Sequence, residues 1–374
     1  MYFLFFLFIK CFTLSIIIKL PLLIIVDKAG TNIKFPYQVY PSILIISQNA
    51  KFTLLNHNKK YNLNSTKLNI TIKNQSIICE KNEDLVSIDS INFNFEYYTI
   101  IKRSKMNFIN NALALSYNNN ENKDFLSQLK NNKIIQKKIY GFEYELTEEK
   151  QGNFYIGEIP KILTMRKYKV KCPIIINNKT ERWGCKINKI YFENFEYNTF
   201  DNEIITFGIE RSKMKIPKKI LLFINETVFI KYYKSGDCFY KNILSRKNIF
   251  CNENIINKLP KINFEFLNFS LIFNLDILFV TTIKKNNSNF FLKLNIEINN
   301  EDENEWVLGW KFLKSYITKF DYDKGIITFY NNEPFLSIKL KQIHIQINFY
   351  LKILLYLMVL SILFELFIII KFKI

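Results

Sequence analysis

The run Trp306-Val307-Leu308-Gly309-Trp310-Lys311-Phe312-Leu313-Lys314-Ser315-Tyr316, followed by Phe320-Asp321-Tyr322-Asp323, constrains the fold more than any other stretch. Apolar residues leading into a glycine, then apolar residues at helical spacing, predict a buried strand, a tight turn, a short helix and a returning strand. Gly309 predicts a backbone crossing so close that a side chain would collide. The rest of the chain reads as all-β. Short runs rich in Ile, Phe, Tyr and Val, such as Lys67–Ile72, Ser90–Tyr98, Phe142–Leu146 and Phe264–Phe273, alternate with Asn, Lys and Asp turns. Helical patterning is clearest over Lys123–Asn131 and Gly309–Tyr316. Glycine and proline number only 9 and 8, so asparagine must supply many left-handed turn positions.

At 374 residues the chain exceeds one typical domain, which predicts two lobes. A net charge of +19 raises the question of a nucleic-acid partner. The lysines are scattered among Asn, Ile, Tyr and Phe, and there is no zinc-finger spacing, stacking-aromatic string or Arg-rich arm, so no nucleic acid is expected. The two histidines, His57 and His344, stand far apart and outside any ligand spacing. No glycine loop for phosphate and no Ser/His/Asp arrangement is present, so neither metal nor cofactor is expected.

The ends set a topology. Ile353 to Ile370 is apolar apart from Ser361 and Glu365, with Lys352, Lys371 and Lys373 at its flanks, and is long enough to span a bilayer. It predicts a transmembrane helix over 353–370, preceded by a juxtamembrane stalk (336–352) and followed by a short basic tail (371–374). Tyr2–Ile9 and Cys11–Ile18, split by Lys10, predict a signal peptide or signal anchor over 1–20. The expectation is a single-pass membrane protein with a lumenal or extracellular body, in the endoplasmic reticulum, the secretory pathway or at the cell surface. Cys238 with Cys251 and Cys172 with Cys185 are spaced for two disulfides, leaving Cys79 odd. Sequons at Asn64, Asn69, Asn74, Asn178, Asn225, Asn268 and Asn286 permit glycosylation.

This succession resembles the pepsin-like aspartic proteases, the family that includes the plasmepsins, over roughly Ile24 to Phe329. Trp183–Ile190 is similar to the strand preceding that family's second catalytic loop. Thr206-Phe207-Gly208-Ile209-Glu210-Arg211-Ser212 then stands where the family has an apolar pair and Asp-Thr-Gly-Thr-Ser, with Pro217 closing the spacer. Asn110–Tyr117 resembles the first-lobe counterpart of the Gly309 strand, with Ala114 in place of the close-packing glycine. Gly152–Gly157 and Phe125–Leu129 resemble a hairpin and a helix of the first lobe. Ile72-Lys73-Asn74-Gln75-Ser76 lies where the flap has Tyr-Gly-x-Gly-Ser, so Ile72 replaces the flap tyrosine. Ile24–Pro36 can be laid on the first catalytic loop, which makes Asp27 the candidate first aspartate, followed by Lys28 and Ala29 instead of Thr-Gly.

The resemblance implies a bilobal pepsin-like fold with few short helices, its lobes at 21–165 and 166–335. It implies an inter-lobe cleft for an extended peptide or protein ligand, with Ser76 and Ser212 at the cleft. Aspartic proteolysis needs two carboxylates sharing a proton around one water. Gly208 stands at the second position, and Glu210 lies two residues off it. The expected function is that of an inactive, membrane-anchored binding or scaffold protein. The alternative is a divergent membrane-bound endopeptidase using Asp27 and another acid; outside the family, an adhesive β-rich glycoprotein fits the same composition.

Overall fold

The computed structural model describes residues 17–335, with breaks at 26–27, 34–41, 48–53, 56–66, 73–74, 89, 103–111, 116–123, 145–150, 166, 178–181, 193–194, 200–202, 210, 244–245, 285–289, 301 and 303, and Tyr356 alone beyond them. The body is mostly β with few short helices. Among the described residues one sheet of 13 strands runs through both halves of the sequence, and sheets of 6, 4 and 4 strands lie in the C-terminal half.

The halves are stitched at one seam. Strand Ile139–Tyr144 pairs with Gln151–Ile156 on one side and with Ile317–Asp321 on the other. Strand Ile326–Asn331 follows, and Tyr168–Pro173 closes that edge. Aromatic side chains fill the core beneath the seam: the Tyr140 ring stacks on Phe320 at 4.7 Å, and Trp183 meets Phe320 edge-on at 4.8 Å. Such pairs add to the gain from burying large apolar surfaces.

Local chemistry explains the elements. In the strand Lys261–Glu265 the apolar Ile262 and Phe264 face the core while Lys261 is exposed, as a two-residue period requires. The helix Phe125–Asn131 begins because Asp124 accepts a bond from the Ser127 amide at 3.0 Å. Phe125, Leu126 and Leu129 are wholly buried, and Lys133 turns the chain away at φ +60°. Both spaced cysteine pairs form disulfides, Cys172–Cys185 and Cys238–Cys251, and Cys79 is a buried free thiol.

Two sequence boundaries need comment. Strand Ile18–Ile25 pairs with Gln151–Ile156, and Ile18 and Leu20 are core residues at 1% and 5% exposure. Residues 18–20 of the 1–20 stretch read as a leader thus belong to a strand of the body. Among the described residues no helix is long and apolar enough to cross a membrane. The run 353–370 lies outside them apart from Tyr356.

Candidate functional site: two matching strand crossings

In the C-terminal half, strand Ile204–Gly208 lies between two neighbours. It runs antiparallel to Trp183–Lys186 and parallel to Glu305–Gly309, with Gly208 opposite Gly309. Beyond the latter lies Met214–Ile216, where Lys215 pairs with Val307, and then Ile296–Ile298. The chain thus leaves the central strand, loops through 209–213 and returns two places away.

The backbone passes so tightly here that only glycine fits. A Cβ at Gly309 would lie 2.5 Å from the Arg211 carbonyl oxygen, and one at Gly184 only 1.7 Å from that of Ile205. The Arg211 amide donates to the Gly208 carbonyl at 3.0 Å, and the Trp310 amide donates to the Arg211 carbonyl at 2.8 Å. Gly208 ends the strand. A Cβ there would sit 2.8 Å from Val307 Cγ1 and 3.1 Å from Cγ and Cδ of Arg211. Space that a side chain at position 208 would enter is already filled.

A buried polar network lies at the start of the same strands. Glu305 is fully buried and Arg182 almost so, and their charged groups meet at 2.9 Å. Thr206 Oγ1 donates to the same carboxylate at 2.8 Å and Asn299 Nδ2 at 3.1 Å. The paired charges and donors offset a desolvation cost that neither ion could bear alone.

The N-terminal half repeats this order. Strand Lys28–Ile33 runs antiparallel to Ser42–Ser47, which runs parallel to Ala112–Ala114. Next comes Leu54–Leu55, opposite Ala112, and then Ile91–Lys102. The registers agree residue by residue. Thr206, Val307 and Lys215 are aligned across three strands, as are Ile45, Ala112 and Leu54. From 206 to 215 and from 45 to 54 the spacing is nine positions in both cases. Two residues on, Gly208 faces Gly309 and Ser47 faces Ala114.

This register offers a second candidate for the first arm beside Asp27. Asp27 lies outside the described residues, and its flanking residues Ile25 and Lys28 pair with each other. The strand that repeats Ile204–Gly208 is Ser42–Ser47, one strand later, and it ends on Ser47. Sequence reasoning missed it for want of a matching triplet, since Ser47-Gln48-Asn49 shares nothing with Asp-Thr-Gly. One signal was available: no aspartate or glutamate occurs between Asp27 and Glu80.

The other expected residues divide. Ser212 is 2% exposed, with Asn295 Nδ2 3.4 Å from its Oγ, so it is packed inside rather than offered to a cleft. Ile72 and Ser76 flank the 73–74 tip of the hairpin Lys67–Ile72 and Gln75–Ile88, and their side chains lie outside the described residues. Glu210 lies outside them as well. Cys238 faces Cys251 across a second hairpin. Among the described residues no group of His, Cys, Asp or Glu is arranged to hold a metal.

Two crossings in matching register agree with comparison to known proteins. A family model described as eukaryotic aspartyl protease matches residues 47–331. The chain belongs to the eukaryotic aspartyl protease family. The match begins at Ser47, the end of the first crossing strand. Among solved structures, conglutin gamma, a unique basic 7S globulin from lupine seeds, aligns with a TM-score of 0.68 at 12% identity, over 85% of this chain and 96% of its own. Basic 7S globulin from soybean aligns with a TM-score of 0.64 at 12% identity, over 84% of this chain and 96% of its own. At that identity the two show a shared fold alone. The search of curated proteins finds no match.

Proposed function

We propose that this aspartyl protease family member is catalytically inactive and binds an extended peptide or protein segment, held at a membrane of the secretory pathway by its C-terminal run. The observation that carries the reading is the pair Ser47 and Gly208 at the ends of the two matching crossings. Proteolysis in this family needs two carboxylates, one as base toward water and one as acid toward the carbonyl. A serine and a glycine supply neither. With no acid from residue 28 to residue 79, a small register shift in the first crossing brings none in.

Binding is supported by what remains. The backbone framework of both crossings persists without the triplets that chemistry would demand, together with the hairpin at 67–88 that resembles a flap. A cleft between two such halves suits a ligand that adds as a strand. Membrane attachment is supported by the apolar run 353–370 and its lysine flanks, and a lumenal body by the two disulfides. The test is an array of extended peptides probed with the full chain in detergent, read beside the same chain with a bulky residue at the flap tip, Gln75→Trp. Selective retention that the substitution weakens is expected. Absence of retention across the array would remove the binding role.

A further inference from the structure

The outer strand at the seam presents an unusual surface. Between Glu158 and Glu181 the chain carries Lys161, Arg166, Lys167, Lys169, Lys171 and Lys179 and no acid. Lys161, Lys169 and Lys171 are exposed, and none of the three has an ion-pair partner among the described residues. Elsewhere solvated lysines such as Lys130 and Lys189 do pair, with Asp323 and Glu196. Beside the unpaired lysines lie the two most exposed large apolar side chains described, Ile162 at 84% and Met165 at 78%.

Register places these groups on one face. Lys169 pairs with Tyr330 and Tyr330 with Ile317, and directly opposed residues in adjacent strands share a face. Leu163 packs on that same face, against the cluster of Tyr155, Ile159 and Ile317 that Tyr330 also covers. The short helix Lys161–Thr164 therefore lies over the sheet with Leu163 inward, and its neighbours Ile162 and Met165 project away from it. Lys171 joins Lys169 by the two-residue period. The acids of this face are engaged: Glu158 with Lys319 and Lys137, Glu143 with Tyr155 and Asn153, and the buried Asp321 with the Lys324 amide.

The chain leaves the body at the Lys169 end of the sheet, the body's last described residue, Phe335, stacked on Tyr316 on the opposite, core side. Asn331, the last residue of its strand, is opposite Tyr168, and the described body ends at Phe335. Residues 336–352 then carry Lys339, Lys341 and Lys352 without an acid, and the next acid after Glu333 is Glu365. Seventeen residues reach at most about 60 Å when extended, so the body cannot go far from wherever 353–370 is inserted. At such tether lengths even a weak surface contact is strongly populated.

We propose that the face bearing Ile162, Met165, Lys161, Lys169 and Lys171 lies on the phospholipid bilayer that residues 353–370 enter. The two apolar side chains sink into the headgroup boundary and the lysines meet lipid phosphates. This rests on the membrane-anchor reading and adds an orientation to it: the body is held against the bilayer by its seam face.

The test is hydrogen–deuterium exchange on the full chain in lipid nanodiscs, with discs of neutral lipid alone and discs containing an anionic lipid, against the chain in detergent. Amides over 161–171 are expected to exchange more slowly in discs, most of all in anionic ones. Lys161→Glu, Lys169→Glu and Lys171→Glu together should restore the detergent rates, each reversal shifting the docked fraction by about fivefold or more. These lysines are exposed, so unchanged exchange in the core strands shows that the variant folds. Incorporation into discs with 161–171 unprotected overturns the docking inference alone. Protection that survives the triple variant, or that appears equally in detergent, overturns it in favour of a protein contact. Failure to incorporate at all overturns the anchor reading and the inference together.

Discussion

Glu305 anchors the second crossing, and the cost of removing it can be worked from its partners. Three donors converge on its carboxylate: Arg182 at 2.9 Å, Thr206 at 2.8 Å and Asn299 at 3.1 Å. Two of them keep an acceptor when the side chain goes. Thr206 Oγ1 is 3.3 Å from the Trp306 carbonyl, and Asn299 Nδ2 is 2.9 Å from that of Glu305 itself. The largest loss is expected at Arg182, a charge 1% exposed whose 2.9 Å ion pair with Glu305 is removed. Breaking one side of a buried pair costs about 3–5 kcal/mol, so Glu305→Leu should lose that much. Replacing both members with apolar groups removes the stranded charge. Arg182→Met with Glu305→Leu should therefore stand within about 1–2 kcal/mol of the parent. Urea unfolding in mild detergent, followed by the fluorescence of Trp183 and Trp306 beside the pair, reads each variant. A Glu305→Leu cost below about 1 kcal/mol, or a double variant as costly as the two single ones summed, would refute the reasoning.

Three further outcomes follow from the same packing. Gly184→Ala places a methyl where Ile205 backbone oxygen already stands, so strand 183–186 must part from 204–208; a loss at or above about 3 kcal/mol is expected, read as protease sensitivity of the expressed chain. Gly208→Asp meets only the side chains of Val307 and Arg211, which can yield, so it should cost about 1–3 kcal/mol and still cleave no peptide at acidic pH, because the first crossing ends on serine. Burial pushes the Cys79 thiol from 9.0 up to about 11. The folded chain then keeps a proton that the unfolded chain loses, so this contribution to stability is whole below pH 9 and fades between pH 9 and 11. Cys79→Ala should flatten the unfolding free energy across that window, and in the parent Cys79 should resist alkylation at pH 8 until the chain unfolds.

The C-terminal half was legible because its physical requirements are written in side chains. Gly309 is the residue a close crossing demands, the Trp306–Leu308 run is the buried strand before it, and Phe312 and Leu313 are the helical core contacts after it. Both disulfides were legible in the cysteine spacing: 13 positions separate each pair, one directly opposed in a hairpin and the other tying strands of two sheets. The N-terminal half was harder because the strands of its equivalent crossing, Ser42–Ser47, Ala112–Ala114 and Leu54–Leu55, carry no glycine to mark it. Ser42–Ser47 is one apolar run among many, and Ala114 replaces the glycine that marks its partner strand. Asp27 drew attention as an acid after Ile24-Ile25-Val26, and it lies outside the described residues. The Arg182–Glu305 pair joins residues 123 positions apart, and no local pattern announces such a contact. Arg211 filling the space at Gly208 is likewise a product of the loop's path.

The central claim is that neither crossing carries a carboxylate and the chain does not cut peptides. It is tested most directly by incubating the full chain with a diverse peptide library from pH 3 to pH 7 and reading the peptides by mass. The account predicts that every peptide is returned intact, for the parent and for Asp27→Asn alike. Cleavage by the parent that disappears in Asp27→Asn would contradict it, and would restore Asp27 to the first arm in place of Ser47.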